Sequence, residues 1–278
     1  KDGSDVPLAN VSATAEGNAA ALDGSFQANL AQATNKTTVQ VDVAKSSYQV
    51  NDLVISGQNS MTLSADAHEV TVGGLLSSGT NKAVADNQLI THVTTGGAGD
   101  GDTLDTVTIS GGSYGIATVK ANGNGGGIVT ISPLAAVVDN SLTTDTQVNL
   151  AGGKWQAGSL SVSAVNNDDL DLDADSVSAA VLNASGTELK NTVKHAAAVN
   201  VGSTVTTTGK QSYAAGNAVD HDVDIHGNGY GGISTNGTVM ASDLTYDAAV
   251  NLGYTAADKV FHSADLSPCD PFYRRHGS

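Results

Sequence analysis

The side chains best able to do chemistry in this sequence are aspartates that recur at every second position. The run Asp168-Asp-Leu-Asp-Leu-Asp-Ala-Asp175 is the densest example. Alternate residues of a β-strand share one face at about 7 Å spacing, so these carboxylates would form a row on the exposed face. The first row comprises Asp169, Asp171, Asp173 and Asp175, and a second, downstream, comprises Asp220, Asp222, Asp224 and His226. Such oxygen ligands attract Ca²⁺, whereas the alternative interpretation is a solvated face that blocks lateral pairing.

A second candidate calcium site lies in the glycine-rich segment 96–104. Gly96-Gly-Ala-Gly-Asp-Gly-Asp-Thr-Leu104 resembles the calcium-binding nonapeptide of secreted β-roll toxins, with Asp100 and Asp102 as carboxylate donors. It departs from that pattern by one inserted residue and occurs once, whereas a β-roll completes each ion's shell with tandem copies. An ordinary glycine-rich turn is the competing interpretation.

Hydrolytic chemistry has three candidate residues. Gly111-Gly-Ser-Tyr-Gly115 has the spacing of a hydrolase nucleophile elbow around Ser113, but the elbow requires a helix after the serine and Ile116–Lys120 is typical of a strand. Paired carboxylates for glycoside cleavage could come from successive coils of a repetitive fold, for example Asp171 and Asp224. The seven histidines are scattered and form no zinc-type cluster.

The composition limits the class of partner. The 278 residues carry 12 Lys+Arg against 28 Asp+Glu, a formal net charge of -16. That charge repels phosphate, so nucleic acid is not an expected partner. The single cysteine excludes a disulfide framework within the chain, and no apolar run is long enough for a membrane-spanning helix. With 32 Gly, 4 Pro and few aromatic residues, the sequence favours strands and turns around a core of small aliphatic side chains.

Internal repeats indicate how those strands are organised. Val148, Val199 and Val250 stand in similar segments at a spacing of 51 residues. Asp169-Leu-Asp-Leu172 resembles Asp222-Val-Asp-Ile225 at a spacing of 53, and residues 123–128 resemble 227–233 at twice the period. Upstream the repeat is weaker, with Tyr48-Gln-Val-Asn51 similar to Thr146-Gln-Val-Asn149. A fixed period of this size is typical of a solenoid.

The predicted fold is all-β, a single-stranded parallel β-helix. Alternation such as Val39, Val41 and Val43 with polar residues between them predicts strands with one buried face. We expect each repeat to divide into two coils of about 25 residues, stacked at about 4.8 Å into a rod roughly 50 Å long. An antiparallel β-sandwich is the alternative fold, but it does not predict the repeat. The sole helical candidate is Ser25–Ala33, in which Phe26, Leu30 and Ala33 share one helical face.

The repeats and the composition divide the chain into three expected segments. Residues 1–120 are expected to form weakly repetitive coils and residues 121–266 coils with the 51-residue repeat. Residues 267–278 contain both arginines, Arg274 and Arg275, and the only cysteine, Cys269. This change of composition indicates a tail that is foreign to the repetitive body or disordered; the alternative is a natural terminal segment.

The segments around Asn191–Gly202, Thr206–Tyr213 and Val219–Gly232 resemble repeats of leukotoxin-like filamentous bacterial adhesins, relatives of filamentous haemagglutinin. The resemblance covers roughly residues 120–260. It implies a right-handed β-helix, secretion through a partner outer-membrane pore and display at the cell surface. Two family features, an Asn-Pro-Asn-Leu type secretion signature and a β-barrel segment, are absent from the sequence, so the chain would be an internal fragment.

The resulting functional expectation is binding or structural rather than catalytic. The expected setting is extracellular or on the bacterial surface. The expected partner is a protein or glycan on a host or neighbouring cell; the oligomeric state is left open. No cofactor is required, although the aspartates above are candidate Ca²⁺ ligands. The alternative is a β-helix hydrolase or lyase acting on polysaccharide or ester substrates, with Ser113, Asp171 and Asp224 as its candidate residues.

Overall fold

The computed structural model describes residues 9–102, 104–253, 261–262 and 265–268, and every element of this part is a β-strand. The strands are Ala9–Ala21 (β1), Gly24–Val43 (β2), Asp52–Gly73 (β3), Leu76–Thr95 (β4), Leu104–Leu150 (β5), Lys154–Val201 (β6), Thr204–Thr207 (β7), Lys210–Tyr230 (β8), Ile233–Leu252 (β9), Phe261–His262 (β10) and Asp265–Pro268 (β11).

The named strands pair in parallel and build a β-solenoid, which confirms the predicted fold class. Ala9 pairs with Met61, an offset of 52 residues, and Leu182 pairs with Ile233, an offset of 51. β5 and β6 are joined over nearly their whole lengths. The chain therefore completes one coil per repeat. Five coils are described, and β10 and β11 begin a sixth on β7 and β8.

The expected division of each repeat into two short coils is wrong. Strands of about 20 residues run along one side of the coil, turn and return along the other, so a single coil uses the whole repeat. At about 4.8 Å per coil, the five coils extend about 24 Å, half of the predicted rod length. Period and alternation alone cannot distinguish one wide coil from two narrow ones.

Each coil contributes to two layers that face each other. One layer contains β1, β3, the first halves of β5 and β6, and β8, while the other contains β2, β4, the second halves and β9. The side chain of Asn59 in the first layer donates to the carbonyl of Ile90 in the second, at 3.2 Å. The space between the layers is the core.

The core is filled by every second residue of the strands, as the alternation predicts. Leu170, Leu172 and Ala174 are fully buried, whereas the aspartates between them face outward. Two apolar clusters result, one around Leu63, Val119 and Leu172 and one around Ile109, Val162 and Trp155. Alanine, valine and leucine make up most of both clusters, and the second also contains the buried rings of Trp155 and Tyr213.

The helical candidate Ser25–Ala33 is wrong, because these residues lie in β2. In the strand, Ala31 and Ala33 are buried while Phe26 and Leu30 are 68% and 57% exposed. β2 pairs with β4 along its full length. That pairing outweighs the local helical pattern.

Glycines allow consecutive coils to approach closely at the loops between them. Gly97 and Gly153 have φ of 94° and 74°, values that residues with a Cβ rarely adopt. A Cβ at Gly153 would lie 2.2 Å from the carbonyl oxygen of Gly96 in the preceding coil. The glycine-rich turns are therefore required by stacking as well as by chain reversal.

Two features of the repeat differ from the sequence comparison. Asp169 pairs with Asp220 and Asp171 with Asp222, so the spacing in the structure is 51 residues. The predicted spacing of 53 is therefore wrong by two residues, which is one step of the strand alternation. Tyr48 lies in the connection between β2 and β3 and stacks on Trp155 with ring centroids 6.2 Å apart, so segment 48–51 is not a counterpart of the β5 segment 146–149.

The expected segment boundaries fall within continuous structure. β5 crosses from residue 120 to 121 without a break. β11 crosses from Leu266 to Ser267 and pairs with β8. Residues 269–278, with Cys269 and the two arginines, lie outside the described residues.

Candidate functional site

A chain of hydrogen-bonded polar side chains separates the two apolar clusters inside the solenoid. We call it the polar seam; it comprises Thr91, Ser113, Thr146 and Asn166. Ser113 Oγ lies 2.9 Å from Thr91 Oγ1 and 2.8 Å from Thr146 Oγ1. Thr146 donates to the amide oxygen of Asn166 at 2.6 Å, and the Asn166 amide donates to the carbonyl of Ala196 at 2.8 Å.

This network determines what Ser113 can do. Because Thr146 uses its only proton on Asn166, the Ser113 hydroxyl must donate to Thr146, and Thr91 then donates to Ser113 or to the carbonyl of Gly112. Ser113 is fully buried within β5, and the strand continues after it without a helix. The serine therefore lacks the elbow conformation and solvent access of a hydrolase nucleophile.

An aspartate and a histidine form a buried pair beside the polar seam. Nε2 of His195 lies 3.1 Å from Oδ2 of Asp168, and both side chains are 0% exposed. The ring of Tyr246 in the next coil packs edge-on against His195, with centroids 5.3 Å apart. Space for the Asp168 carboxylate is provided by Gly115 in the preceding coil, where a Cβ would lie 2.3 Å from Oδ1.

Burial shifts both members of this pair away from their charged forms. It raises the pKa of Asp168 to about 8 and lowers the pKa of His195 to about 4, with a smaller contribution to the latter from His221. Between these limits the pair therefore holds one proton. Its chemistry resembles that of an acid–base dyad, but its burial keeps it from any dissolved substrate.

The predicted rows of aspartates do form on the outer face. The acidic rows, as we call them, comprise Asp169, Asp171, Asp173 and Asp175 on β6 and Asp220, Asp222 and Asp224 on β8. Asp171 stacks on Asp222, and Asp173 on Asp224. Asp171 and Asp224, suggested above as a glycosidase pair, are thus diagonal rather than direct neighbours. One cation lies close by, with Lys120 Nζ 2.9 Å from Asp171 Oδ2.

Asp100 and Asp102 belong to the loop between the second and third coils, where both make contacts within the protein. Asp102 accepts hydrogen bonds from the Ser47 hydroxyl at 2.8 Å and from the Tyr48 N–H at 2.8 Å. The hydrogen bonds, that from Tyr48 first, lower the pKa of Asp102. Asp100 lies 3.4 Å from the ammonium of Lys45. These carboxylates thus link the loops of neighbouring coils.

In the part of the chain that the structure describes, no group of three or more His, Cys, Asp or Glu residues is arranged to hold a metal ion. A cavity beside Glu69, lined also by Gly79, Ser132 and Ser178, has a volume of about 10 Å³. That volume is about the size needed for one water molecule.

The sequence contained a signal for the buried pair that its interpretation missed. Asp168 has the same parity as Leu170 and Leu172, which were assigned to the core, so the alternation already directed it inward. His221 has the same parity as Val219 and Val223 and likewise lies on the inward side, stacked on Leu170. The contact between Asp168 and His195 could not be found this way, because it joins opposite layers 27 residues apart in sequence.

Comparison of the chain with protein families, with curated proteins and with solved structures returns no match. Among the described residues there is also no helix able to cross a membrane. Fold and site geometry are therefore the basis for a functional proposal.

Proposed function

We propose that this chain is a segment of a secreted or surface-displayed filamentous adhesin of bacteria, with a binding or structural role. The single observation that carries the proposal is that the sheet separates one set of polar side chains, which is buried, from another set, which is exposed. Ser113, Asp168 and His195 are buried between the layers, while the acidic rows face solvent. A surface of this kind can contact another molecule over a wide area but offers no enclosed reaction centre.

The outer face supports this role because its side chains are ordered in columns. The amide of Asn200 donates to Asn149 at 2.8 Å, and that of Asn251 donates to Asn200 at 2.8 Å. Columns of amides and carboxylates at the coil spacing present repeated donors and acceptors. Such an array suits a protein or glycan on a host or neighbouring cell, the partner class that we propose.

Binding of the purified chain to cultured host cells and to a glycan array tests this function. We expect saturable binding that falls about tenfold when Asp169, Asp171, Asp220 and Asp222 are changed to Asn, since charged rim contacts contribute modestly each. The matched control changes four other exposed aspartates, Asp23, Asp42, Asp52 and Asp105. Absence of saturable binding to either surface would contradict the proposal.

The alternative hydrolase or lyase has less support. Its candidate residues lie on opposite sides of the sheet, with Ser113 inward and Asp171 and Asp224 outward. We expect no turnover of polysaccharides or small esters by the chain. Turnover that disappears in Ser113→Ala or Asp171→Asn would establish the enzyme instead.

A further inference from the structure

We propose that the cavity beside Glu69 binds a monovalent cation of about the size of Na⁺. Glu69 stands on the inward side of β3 and is 3% exposed. Its oxygen Oε2 is buried and has no hydrogen-bond partner among the described residues. Burial raises the pKa of Glu69, against the lowering effect of hydrogen bonds from the Thr71 side chain and the Thr80 backbone. A buried carboxylate with a free oxygen is costly unless a cation or a proton neutralises it.

Glycines on the neighbouring strands make room for this carboxylate between the layers. Glu69 pairs with Gly17 in the preceding coil and with Gly123 in the following one, so no side chain lies directly above or below it. On the opposite layer, a Cβ at Gly79 would overlap Oε1 of Glu69. Glycine at these three positions therefore keeps a space in which the acidic side chain fits.

An irregularity in β5 forms another side of the cavity. Near Ser132, β5 has two more residues than β4 and two more than β6 between successive pairings, and the extra residues lie within 133–135. The carbonyl oxygen of Ala135 takes the place that a Cβ at Gly123 would need, so it points to the interior. Bulges are concentrated next to functional sites because they redirect groups that regular pairing would hold in the ladder.

The residues around the cavity carry the oxygens that hard cations bind. Besides Glu69, its wall includes Asn124, Ser132 and Ser178. The Ser178 hydroxyl donates its proton to Ser185 at 3.1 Å, so the lone pairs of its oxygen remain for an ion. Carboxylate, amide and hydroxyl oxygens together form a hard ligand set.

Charge and space favour a monovalent ion over Ca²⁺ or Mg²⁺. Glu69 is the only acidic residue that lines the cavity, so a single positive charge neutralises the site. Ca²⁺ takes about six to eight oxygen ligands and Mg²⁺ keeps several waters, whereas a volume of about 10 Å³ holds one water-sized occupant. Because Glu69, Ser132 and Ser178 belong to consecutive coils, the bound ion would link three coils.

Thermal unfolding of the purified chain in NaCl and in choline chloride, at equal ionic strength, tests the site. We expect the melting temperature to be about 5 °C higher in about 0.5 M NaCl, because an ion that binds only the folded state stabilises it. Broadening of the sodium-23 NMR signal by the same chain should report the bound ion directly.

Three variants separate this site from the exposed carboxylates. Glu69→Gln keeps the shape of the side chain without its charge, and should lose both the difference in melting temperature and the associated NMR broadening. Glu16→Gln, the matched control, removes an exposed carboxylate of β1 and should keep both. Ser178→Ala removes one ligand oxygen and should weaken sodium binding about tenfold. It provides the same comparison if Glu69→Gln does not fold.

Equal melting temperatures of the wild type in the two salts would overturn the proposal and indicate a water molecule in the cavity. An undiminished sodium effect in Glu69→Gln would overturn it as well. A larger stabilisation by millimolar CaCl₂ that requires Glu69 would overturn the monovalent assignment. None of these outcomes bears on adhesin activity, because ion binding and cell binding are measured separately.

Discussion

Asp168 and Asp169 are adjacent in sequence but occupy opposite environments. Asp168 is buried against His195 with its pKa raised to about 8, whereas Asp169 is exposed in the acidic rows. The same residue type is thus a buried group with a raised pKa on one side of β6 and an exposed side chain on the other. A change of one position along the strand decides which role it takes.

The largest expected effect comes from placing an acid on the wrong side of β6. Leu172→Asp would bury a carboxylate without a partner in the apolar core, so the free energy of unfolding should fall by more than about 4 kcal/mol. The matched outward change is Ser163→Asp, whose neighbours in adjacent coils are Ser110 and Ala214. It should stay within about 0.5 kcal/mol of wild type in urea unfolding. Equal losses of unfolding free energy in the two variants would contradict the assignment of Leu172 to the inner face and Ser163 to the outer face.

Removing one member of the buried pair should lower the free energy of unfolding by a somewhat smaller amount. His195→Leu leaves Asp168 without its interlayer partner, and we expect a loss of about 3 kcal/mol. Asp168→Leu with His195→Leu should regain most of this loss, because neither polar group is then buried alone. A double-mutant cycle by chemical denaturation measures the coupling, and strictly additive losses would refute it.

The same pair should make stability depend on pH. Ordinary pKa values are 3.8 for Asp and 6.5 for His, so above pH 6.5 the unfolded pair holds no proton, while the folded pair keeps one up to about pH 8. The folded state therefore binds the extra proton, and its stability should fall by about 2 kcal/mol as pH rises through this window.

Urea unfolding at intervals across that window tests the assignment, with Asp168→Asn as the control. The amide cannot titrate, and the remaining His195 and His221 both have lowered pKa values. The variant should therefore show no such fall. An identical fall in the variant would place its origin elsewhere.

The smallest effect is expected in the acidic rows. Partial burial raises the pKa of Asp173, the nearby Lys120 lowers it, and the carboxylates of Asp175, Asp224 and Asp171 raise it further. Asp173→Asn should raise the free energy of unfolding by about 0.3 kcal/mol, a gain that added salt should reduce. Asp86→Asn is the control, because its neighbours Thr34 and Ser141 are uncharged. A larger gain in the control would contradict repulsion within the rows.

Sequence patterns predicted most reliably the features that follow directly from strand alternation and from the repeat period. Alternation placed Leu170 and Leu172 inside and the acidic rows outside, and the repeat aligned Val148, Val199 and Val250 as they stack. The patterns were least informative for Ser25–Ala33, whose helical spacing is overridden by pairing with β4. They also could not set the size of the coil, because a period of 51 residues is compatible with one circuit or two.

The sequence by itself determined that this protein is a parallel solenoid with an acidic outside, since strand alternation and the repeat period are properties of the chain alone. Only the tertiary structure decided which groups meet between the layers. The Asp168–His195 pair and the hydrogen bonds that occupy Ser113 both depend on how each coil folds back and stacks. Those contacts join residues distant in sequence, and burial between two sheets then sets their protonation and their access to solvent.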